Sequence, residues 1–429
     1  MTGADVIASA AVPLGFGLAA VAIRPAVKAT GLGIVHPAVV WLALEAVFFG
    51  FGSIALAAGE DRVGPALFIA GAAAAAGLGT LVAHRAWQPR SAAFPAGGPT
   101  SPLPETGWRR FVPAALAIIA LLILAPTLGG SGLALLSADP TAARAELVGI
   151  PVQLIRVALP GLAAVILLQT LGGRPASRHR VASWVVIGIL VVLSILLASR
   201  YLVIELGATL VLVWLLTGRR IAPRLALAAG VVAVAGFVAI GVARAPNDFA
   251  NGPVVTAAER TVSRLFLVQP RTIAALQDAI PSEQPYFLGL TWIRRLGPYL
   301  GRPDIPNLGY WIYPRVVATE QTTAGYAAPG LLGEAWANFG PAGLGLFALL
   351  GVAMERAGVL IASRRTRVVD IAAGALLILF VARTHALGLL GVALLLGLVL
   401  GWRSLAGSWS VPAAGSRDER AGIGPDGAS

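Results

Sequence analysis

The sequence of 429 residues contains no cysteine, and only 12% of its residues are charged. Without cysteine, the chain has no disulfide bond, no thiolate metal site and no cysteine nucleophile. Soluble proteins contain about 25% charged residues, so a chain with 12% charged and 57% hydrophobic residues is too apolar to cover a soluble surface. The composition therefore predicts an all-α, polytopic integral membrane protein.

Lysine and histidine are also scarce. Lysine occurs once, at position 28, among 32 basic residues that contribute to a net charge of +12. No basic domain stands apart from the apolar segments, which argues against a nucleic-acid partner. The four histidines show no HExxH or similar ligand spacing, so we expect no metal and no other cofactor. The first twenty residues contain Asp5 but no Lys or Arg, so we expect no cleaved signal peptide.

Long apolar runs predict about 11 transmembrane helices, since a helix crosses a bilayer with about 20 apolar residues. Cytoplasmic loops are rich in basic residues, so the arginine clusters between the runs place the N-terminus outside and the C-terminus in the cytoplasm. The runs 183–217 and 369–401 lie between such clusters, so each is expected to cross the membrane twice. The first run is expected to turn near Ser199 and the second near Arg383. The predicted spans are residues 5–23, 34–58, 63–83, 111–128, 148–171, 183–198, 201–217, 225–243, 341–360, 369–382 and 386–401.

These spans predict a single transmembrane domain over residues 1–402, followed by a disordered cytoplasmic tail at 403–429. The domain includes a flexible cytoplasmic linker at 84–110 and one large external loop at 244–340. The external loop is polar and punctuated by proline and glycine, and loops longer than about 15 residues are usually functional. We therefore expect the functional site in this loop.

Arginines of the external loop and of the hairpin tips predict an anion site. Residues 259–280 are interpreted as a helix along the membrane surface, interrupted or kinked at Pro270. The planar guanidinium group donates two parallel hydrogen bonds to a phosphate, which suits a lipid-linked pyrophosphate. The alternative is that these side chains reach lipid headgroups without a specific ligand. The five candidates are Arg200, Arg260, Arg264, Arg271 and Arg383.

Glu334 and Asn338 form a second group, because they lie four residues apart on one side of a predicted helical turn. Glu334 is a candidate general base, with a helix-end ion pair as the alternative role and Asp304 and Glu320 as rival bases. Aromatic rings of the loop, such as Trp292 and Trp311, are candidates for stacking on sugars, although similar rings populate the interfacial belt of membrane proteins.

Three charged residues fall inside predicted spans: Glu45, Arg156 and Glu205. Charges at such depth are unfavourable and indicate either a function or an ion pair that locks two helices. We expect Arg156 to pair with Glu45 or with Glu205 if the role is a lock.

Residues 285–340 resemble the O-antigen and oligosaccharide repeat-unit polymerases, on a G-x-x-W/Y … IP segment and a P-x-x-x-GE-x-x-x-NFG-x-x-G segment before the next span. Ser199-Arg200 resembles the family's Ser-Arg-Gly element, with Tyr201 in place of glycine, and Arg383 lies where the family has an arginine between its last two helices. The similarity covers about residues 183–401.

The resemblance implies a GT-C-like glycosyltransferase in a bacterial plasma membrane. Its reaction would be inverting and independent of metal, joining one undecaprenyl-diphosphate-linked oligosaccharide to the non-reducing end of another. Implied partners are membrane lipid, a chain-length regulator and a flippase. Implied catalytic residues are Arg271, Arg383 and Glu334, and implied diphosphate or glycan ligands are Arg200, Arg260, Arg264, Arg294, Arg295, Asn338, His385, Trp292 and Trp311.

Two other functions fit the same sequence. An O-antigen ligase is a related glycosyltransferase, but ligases of that family use a histidine in the large outer loop, and residues 244–340 contain none. A transporter or flippase for the same lipid would place charges at the midplane in broken helices. Here the charges concentrate in one loop and at two hairpin tips, which favours the polymerase.

Overall fold

The computed structural model describes residues 3–60, 62–87, 150–172, 177–197, 200–219, 263–291, 306–316, 329–364 and 368–382, with a few isolated positions between them. Of the described residues, 89% are helical and none lies in a β-strand, which confirms the all-α class. Four helical segments are long and apolar enough to cross a membrane: Asp5–Thr30, Pro37–Glu60, Gly64–Ala86 and Gly330–Ser363. The structure is therefore compatible with a membrane protein. The total of 11 crossings stays a prediction.

The described part contains twelve α-helices, numbered here in chain order. The first seven are α1 (Gly3–Thr30), α2 (Pro37–Glu45), α3 (Phe51–Glu60), α4 (Gly64–Ala86), α5 (Ile150–Gly172), α6 (Ser177–Leu196) and α7 (Arg200–Leu216). The other five are α8 (Val268–Ala279), α9 (Leu308–Val316), α10 (Gly330–Phe339), α11 (Leu344–Arg364) and α12 (Val368–Ala382). Short π-helical turns lie at Ala46–Gly50 and Ser263–Leu267, and 3-10 turns lie at Gly33–Val35 and Gly340–Gly343.

Small residues bring α4 into direct backbone contact with its neighbours α1 and α11. A Cβ atom at Gly79 would lie 1.9 Å from the carbonyl oxygen of Ala348, and one at Gly351 would lie 2.0 Å from that of Ala76. The hydroxyl of Thr80 also donates to the carbonyl of Gly351 at 3.1 Å. Small-residue packing of this kind is typical of membrane helices, which gain little from the hydrophobic effect within lipid.

The apolar run 183–217 is divided into two helices, as its basic flanks predict. Helix α6 ends at Leu196 and α7 begins at Arg200, and the two pack on each other. Leu197 and Leu202, on either side of the break, are buried in one cluster with residues of α5. The end of α6 and the start of α7 thus lie on either side of the predicted turn, whose residues 198 and 199 are outside the described residues, so the turn itself stays a prediction. Helix α12 ends at Ala382, one residue before the second predicted turn.

Two of the charges expected inside spans are buried. Glu45 and Glu205 are 2% and 5% exposed, and Glu45 ends α2 where the π-helical turn begins. Helix α5, which carries Arg156, packs against α7, which carries Glu205. The side chain of Arg156 lies outside the described residues, so its pairing stays a prediction.

Residues of the predicted external loop are folded onto one end of the bundle. Helix α8 packs against α3, α4, α9 and α10, and its residues Ile273 and Leu276 are fully buried. Pro270, where the sequence predicts an interruption or kink, lies in the first turn of α8, a position at which proline is well tolerated. The irregular part of this segment is the π-helical turn that precedes α8. The turn between α3 and α4 lies at the same end, as the predicted order of crossings requires.

Three predicted spans, 111–128, 225–243 and 386–401, lie almost entirely outside the described residues, as do the linker beyond residue 87 and the tail at 403–429.

Candidate functional site

A cavity of about 750 Å³ opens at this end of the bundle, between the α3–α4 turn, α8 and α9. Three arginines and three carboxylates line it, together with small and aliphatic residues of α8 and α9. The charged lining residues are Glu60, Arg62, Arg271, Asp278, Glu283 and Arg315. The cavity is therefore rich in ionic groups although the sequence around it is apolar.

Four of these side chains form a row of alternating charge from α8 to the α3–α4 turn. The Nε and Nη2 atoms of Arg271 both lie 3.0 Å from Oε1 of Glu60. The other carboxylate oxygen of Glu60 lies 3.9 Å from Nε of Arg62, whose Nη1 donates to Asp278. Arg271 and Asp278 are seven residues apart, so they lie on one face of α8, and both are exposed, whereas Ala274 and Ala275 between them are buried.

A separate pair closes the other side of the cavity. Arg315, in the last turn of α9, donates to Glu283 at 2.6 Å. Its guanidinium group also lies over the ring of Trp311, 4.8 Å from the ring centre, a favourable cation–π distance. Trp311, which the sequence suggested as a sugar ligand, therefore supports an arginine of the cavity.

The arginines of the cavity stay accessible although each has a carboxylate partner. Their side chains are 41%, 43% and 39% exposed for Arg62, Arg271 and Arg315. Ion pairs with this exposure are worth about 0–1 kcal/mol, so an anion with several oxygens can replace the carboxylates. The arrangement can thus bind a multivalent anion by exchange of partners.

Asn338 holds the loop at residues 287–291 against α10. Its amide NH₂ donates to Oγ1 of Thr291 at 2.6 Å and to the carbonyl of Glu334 at 2.8 Å, and its Oδ1 accepts from the backbone N–H of Gly289 at 2.8 Å. Asn338 is fully buried. These bonds attach residues 287–291 to the end of α10, and the substrate-binding role expected from the sequence stays a prediction.

The glycines of the same motif also have packing reasons. A Cβ atom at Gly333 would lie 2.9 Å from Cδ1 of Leu276, so glycine allows α10 to lie against α8. Gly340 has a φ of +57°, and a Cβ atom there would lie 2.5 Å from the hydroxyl of Tyr286. The glycines of the GE-x-x-x-NFG segment therefore allow it to pack closely against Leu276 and Tyr286.

Glu334 is half-buried on α10 and is not among the cavity-lining residues of the described part. The next turn of α10 is anchored by Trp336, which donates from Nε1 to the carbonyl of Ile280 at 3.2 Å and packs edge-on against Phe68. The structure does not bring Glu334 to Arg271 in the cavity, and its role as a base stays a prediction.

Of the predicted site residues, the structure brings Arg271 into the cavity and places Trp311 beside it. The backbones of Arg200 and Arg264 are helical, but their side chains lie outside the described residues. The remaining predicted residues also lie outside them: Arg260, Trp292, Arg294, Arg295, Arg383 and His385.

Sequence reasoning missed the other charged residues of the cavity. Glu60 and Arg62 form a short polar turn between two apolar runs, a pattern that is common at any helix turn. Asp278 follows Arg271 by seven residues, and this helical spacing was the one signal that linked it to the site. Glu283 and Arg315 carry no such signal, because only packing of α9 on α8 brings them near.

Comparisons with protein-family models, curated proteins and solved structures find no match for this chain. The proposed function therefore depends on the cavity and on the sequence resemblance.

Proposed function

We propose that this protein is a membrane glycosyltransferase that polymerises lipid-linked oligosaccharide repeat units, and that its cavity binds the diphosphate of the lipid carrier. The observation that carries the proposal is the set of three accessible arginines around one cavity at the end of an apolar helix bundle. A polyprenyl diphosphate combines a long apolar chain with a compact multivalent anion, so its binding site needs both surfaces.

The proposed reaction joins two such lipids. A hydroxyl oxygen of the acceptor sugar attacks the anomeric carbon of the donor glycan, and the bond from that carbon to the diphosphate breaks. The diphosphate leaves with the electron pair, so negative charge grows on its oxygens in the transition state. Arginines that bind those oxygens stabilise the transition state more than the ground state, which is the requirement for catalysis.

A carboxylate must accept the proton of the attacking hydroxyl. Glu334 is the candidate from the sequence, and Asp278 and Glu283 are cavity carboxylates that are 60% and 57% exposed. Each of the three can be tested by substitution with the amide of the same shape, Glu334→Gln, Glu283→Gln or Asp278→Asn, which removes the base.

Purified protein with a synthetic diphosphate-linked repeat unit tests the proposal. Wild-type protein should produce a ladder of longer lipid-linked glycans, and Arg271→Lys and Arg315→Lys should lose most of this activity, since lysine lacks the planar fork. Arg219→Lys is a matched control, because Arg219 follows α7 and lies over the ring of Trp214, outside the cavity lining. Absence of extension by the wild type, or equal activity in all three variants, would contradict the proposal.

A transporter for the same lipid is a second candidate, supported by a different observation. The second apolar segment is broken by the π-helical turn at Ala46–Gly50, directly after the buried Glu45. π-Helical turns and buried charges are both frequent at functional sites, and transporters use such broken helices. Movement of fluorescent lipid-linked glycan across proteoliposomes, without any extension, would favour this candidate over the glycosyltransferase.

A further inference from the structure

A buried cluster of titratable side chains lies at the end of the bundle opposite the cavity. Glu355 of α11 stands between two histidines: His84, in the last turn of α4, and His36, which precedes α2. Nδ1 of His84 lies 2.9 Å from Oε1 of Glu355, and Nε2 of His36 lies 3.5 Å from Oε2. The three residues are 7%, 0% and 2% exposed for His84, His36 and Glu355.

The protonation of His36 follows from its role as a helix cap. Its Nδ1 accepts a hydrogen bond from the backbone N–H of Ala38 at 3.2 Å. This nitrogen must then keep its lone pair, so a neutral His36 carries its proton on Nε2, which faces Glu355. A second proton on His36 would break the cap at the start of α2.

The space for the His36 ring is provided by a glycine on the facing helix. A Cβ atom at Gly358 would lie 2.5 Å from Nε2 of His36. Gly358 is one turn along α11 from Glu355, so glycine and carboxylate together form the wall against which the ring rests. The contact between His36 and Glu355 is therefore built by packing from both helices.

His84 is the group that can take an additional proton. One of its nitrogens is engaged with Glu355, and the imidazolium form would make a charge-assisted hydrogen bond there. Its side chain is 8% exposed whereas that of His36 is 0% exposed, so exchange with water occurs through His84. Without this proton, a buried carboxylate hydrogen-bonded to a neutral His84, with the neutral ring of His36 at 3.5 Å, leaves a net charge of −1 in the cluster. With it, the cluster is neutral, and burial of a neutral set is favoured.

Among the described residues, the ion-pair contacts of Glu355 are those with His36 and His84. Arg24 and Lys28 of α1 and Arg85 of α4 are exposed. Arg356, next to Glu355 on α11, lies over the ring of Trp87 at 4.0 Å from its centre. On α12, Asp370 is buried and carries the same sign of charge as Glu355.

We propose that His36, Glu355 and His84 form a proton-binding site that fastens the start of α2 and the end of α4 to α11. The site is independent of the proposed glycosyl transfer. It is not arranged as a metal centre, since each histidine faces a different oxygen of Glu355, and no group of such side chains in the described part is placed to hold a metal ion.

Histidine protonation can be measured directly, because the chain has only four histidines. Protein labelled with ¹⁵N-histidine in lipid nanodiscs would be followed by NMR as the pH rises, with signals assigned from His36→Gln and His84→Gln. We expect His36 to stay neutral with its proton on Nε2, and His84 to carry protons on both ring nitrogens where it contacts Glu355. A charged His36, or a His84 that is neutral at every pH, would overturn the proposal.

Two further variants test the geometry. In Glu355→Gln, the NMR signal of His84 should change, since the carboxylate oxygen that lies 2.9 Å from its Nδ1 is gone. Arg356→Gln is the matched control, because it removes a charge from the adjacent position and should leave the signal of His84 unchanged. Gly358→Ala should shift the His36 signal by displacing its ring. An unchanged His84 signal in Glu355→Gln would contradict the site even if all variants fold.

Discussion

The ion pair between Glu60 and Arg271 yields the sharpest prediction, because two changes in one pair should act in opposite directions on ligand binding. Both nitrogens of Arg271 that contact Glu60 use the same carboxylate oxygen, at 3.0 Å each. If Arg271 binds a diphosphate, Glu60 competes with that ligand. Glu60→Gln should then strengthen diphosphate binding, whereas Arg271→Gln should weaken it.

The magnitudes follow from exposure. The side chains of Glu60 and Arg271 are 38% and 43% exposed, and exposed ion pairs contribute about 0–1 kcal/mol. Glu60→Gln should therefore tighten binding by no more than about fivefold and change folding stability by less than about 1 kcal/mol. Loss of a charged hydrogen-bond donor costs about 1.5–3 kcal/mol, so Arg271→Gln should weaken binding by roughly 10- to 150-fold.

Titration calorimetry with a short-chain polyprenyl diphosphate, together with thermal unfolding in the same detergent, measures both quantities. The double variant Glu60→Gln/Arg271→Gln should bind nearly as weakly as Arg271→Gln alone, because the remaining contact of Glu60, with Nε of Arg62, is longer at 3.9 Å. Arg219→Gln serves as the control for a lost surface charge. If Glu60→Gln and Arg271→Gln weaken binding and lower stability to the same degree, the pair is purely structural and the reasoning is wrong.

Three other predictions concern the fold. Gly351→Ala should destabilise the protein by about 1–3 kcal/mol, the usual range for overpacking. Gly345→Ala, on the exposed side of the same helix, should not destabilise it, and thermal unfolding of the two variants measures the difference. Asn338→Leu leaves a buried N–H without its acceptor and should lower stability by about 1–3 kcal/mol, seen as faster proteolysis of the loop at 287–291. An impermeant thiol reagent should label Ser282→Cys on intact cells but Lys28→Cys only after permeabilisation, since the chain has no other cysteine; labelling of both from one side would contradict the predicted topology.

The sequence alone was sufficient for the all-α class and for the presence of two helices in run 183–217. Low charge and long apolar segments require a bundle of helices, since each backbone group must then be paired within its own segment. The basic residues at both ends of run 183–217 predicted its division, and in the structure one helix ends at Leu196 and the next begins at Arg200. The helix around Arg271 was also predicted, because the spacing of residues along one helix is a local property.

Partners across helices were decided only by the tertiary structure. Helical periodicity determines which residues share a face, but not which face of another helix lies opposite; that depends on the rotation and register set by contacts such as Gly79 on Ala348. For this reason the sequence does not show that Asn338 is hydrogen-bonded to Gly289 and Thr291. The partners in the pairs Arg62–Asp278 and His84–Glu355 are far apart in the sequence, and only the packing of the helices brings them into contact.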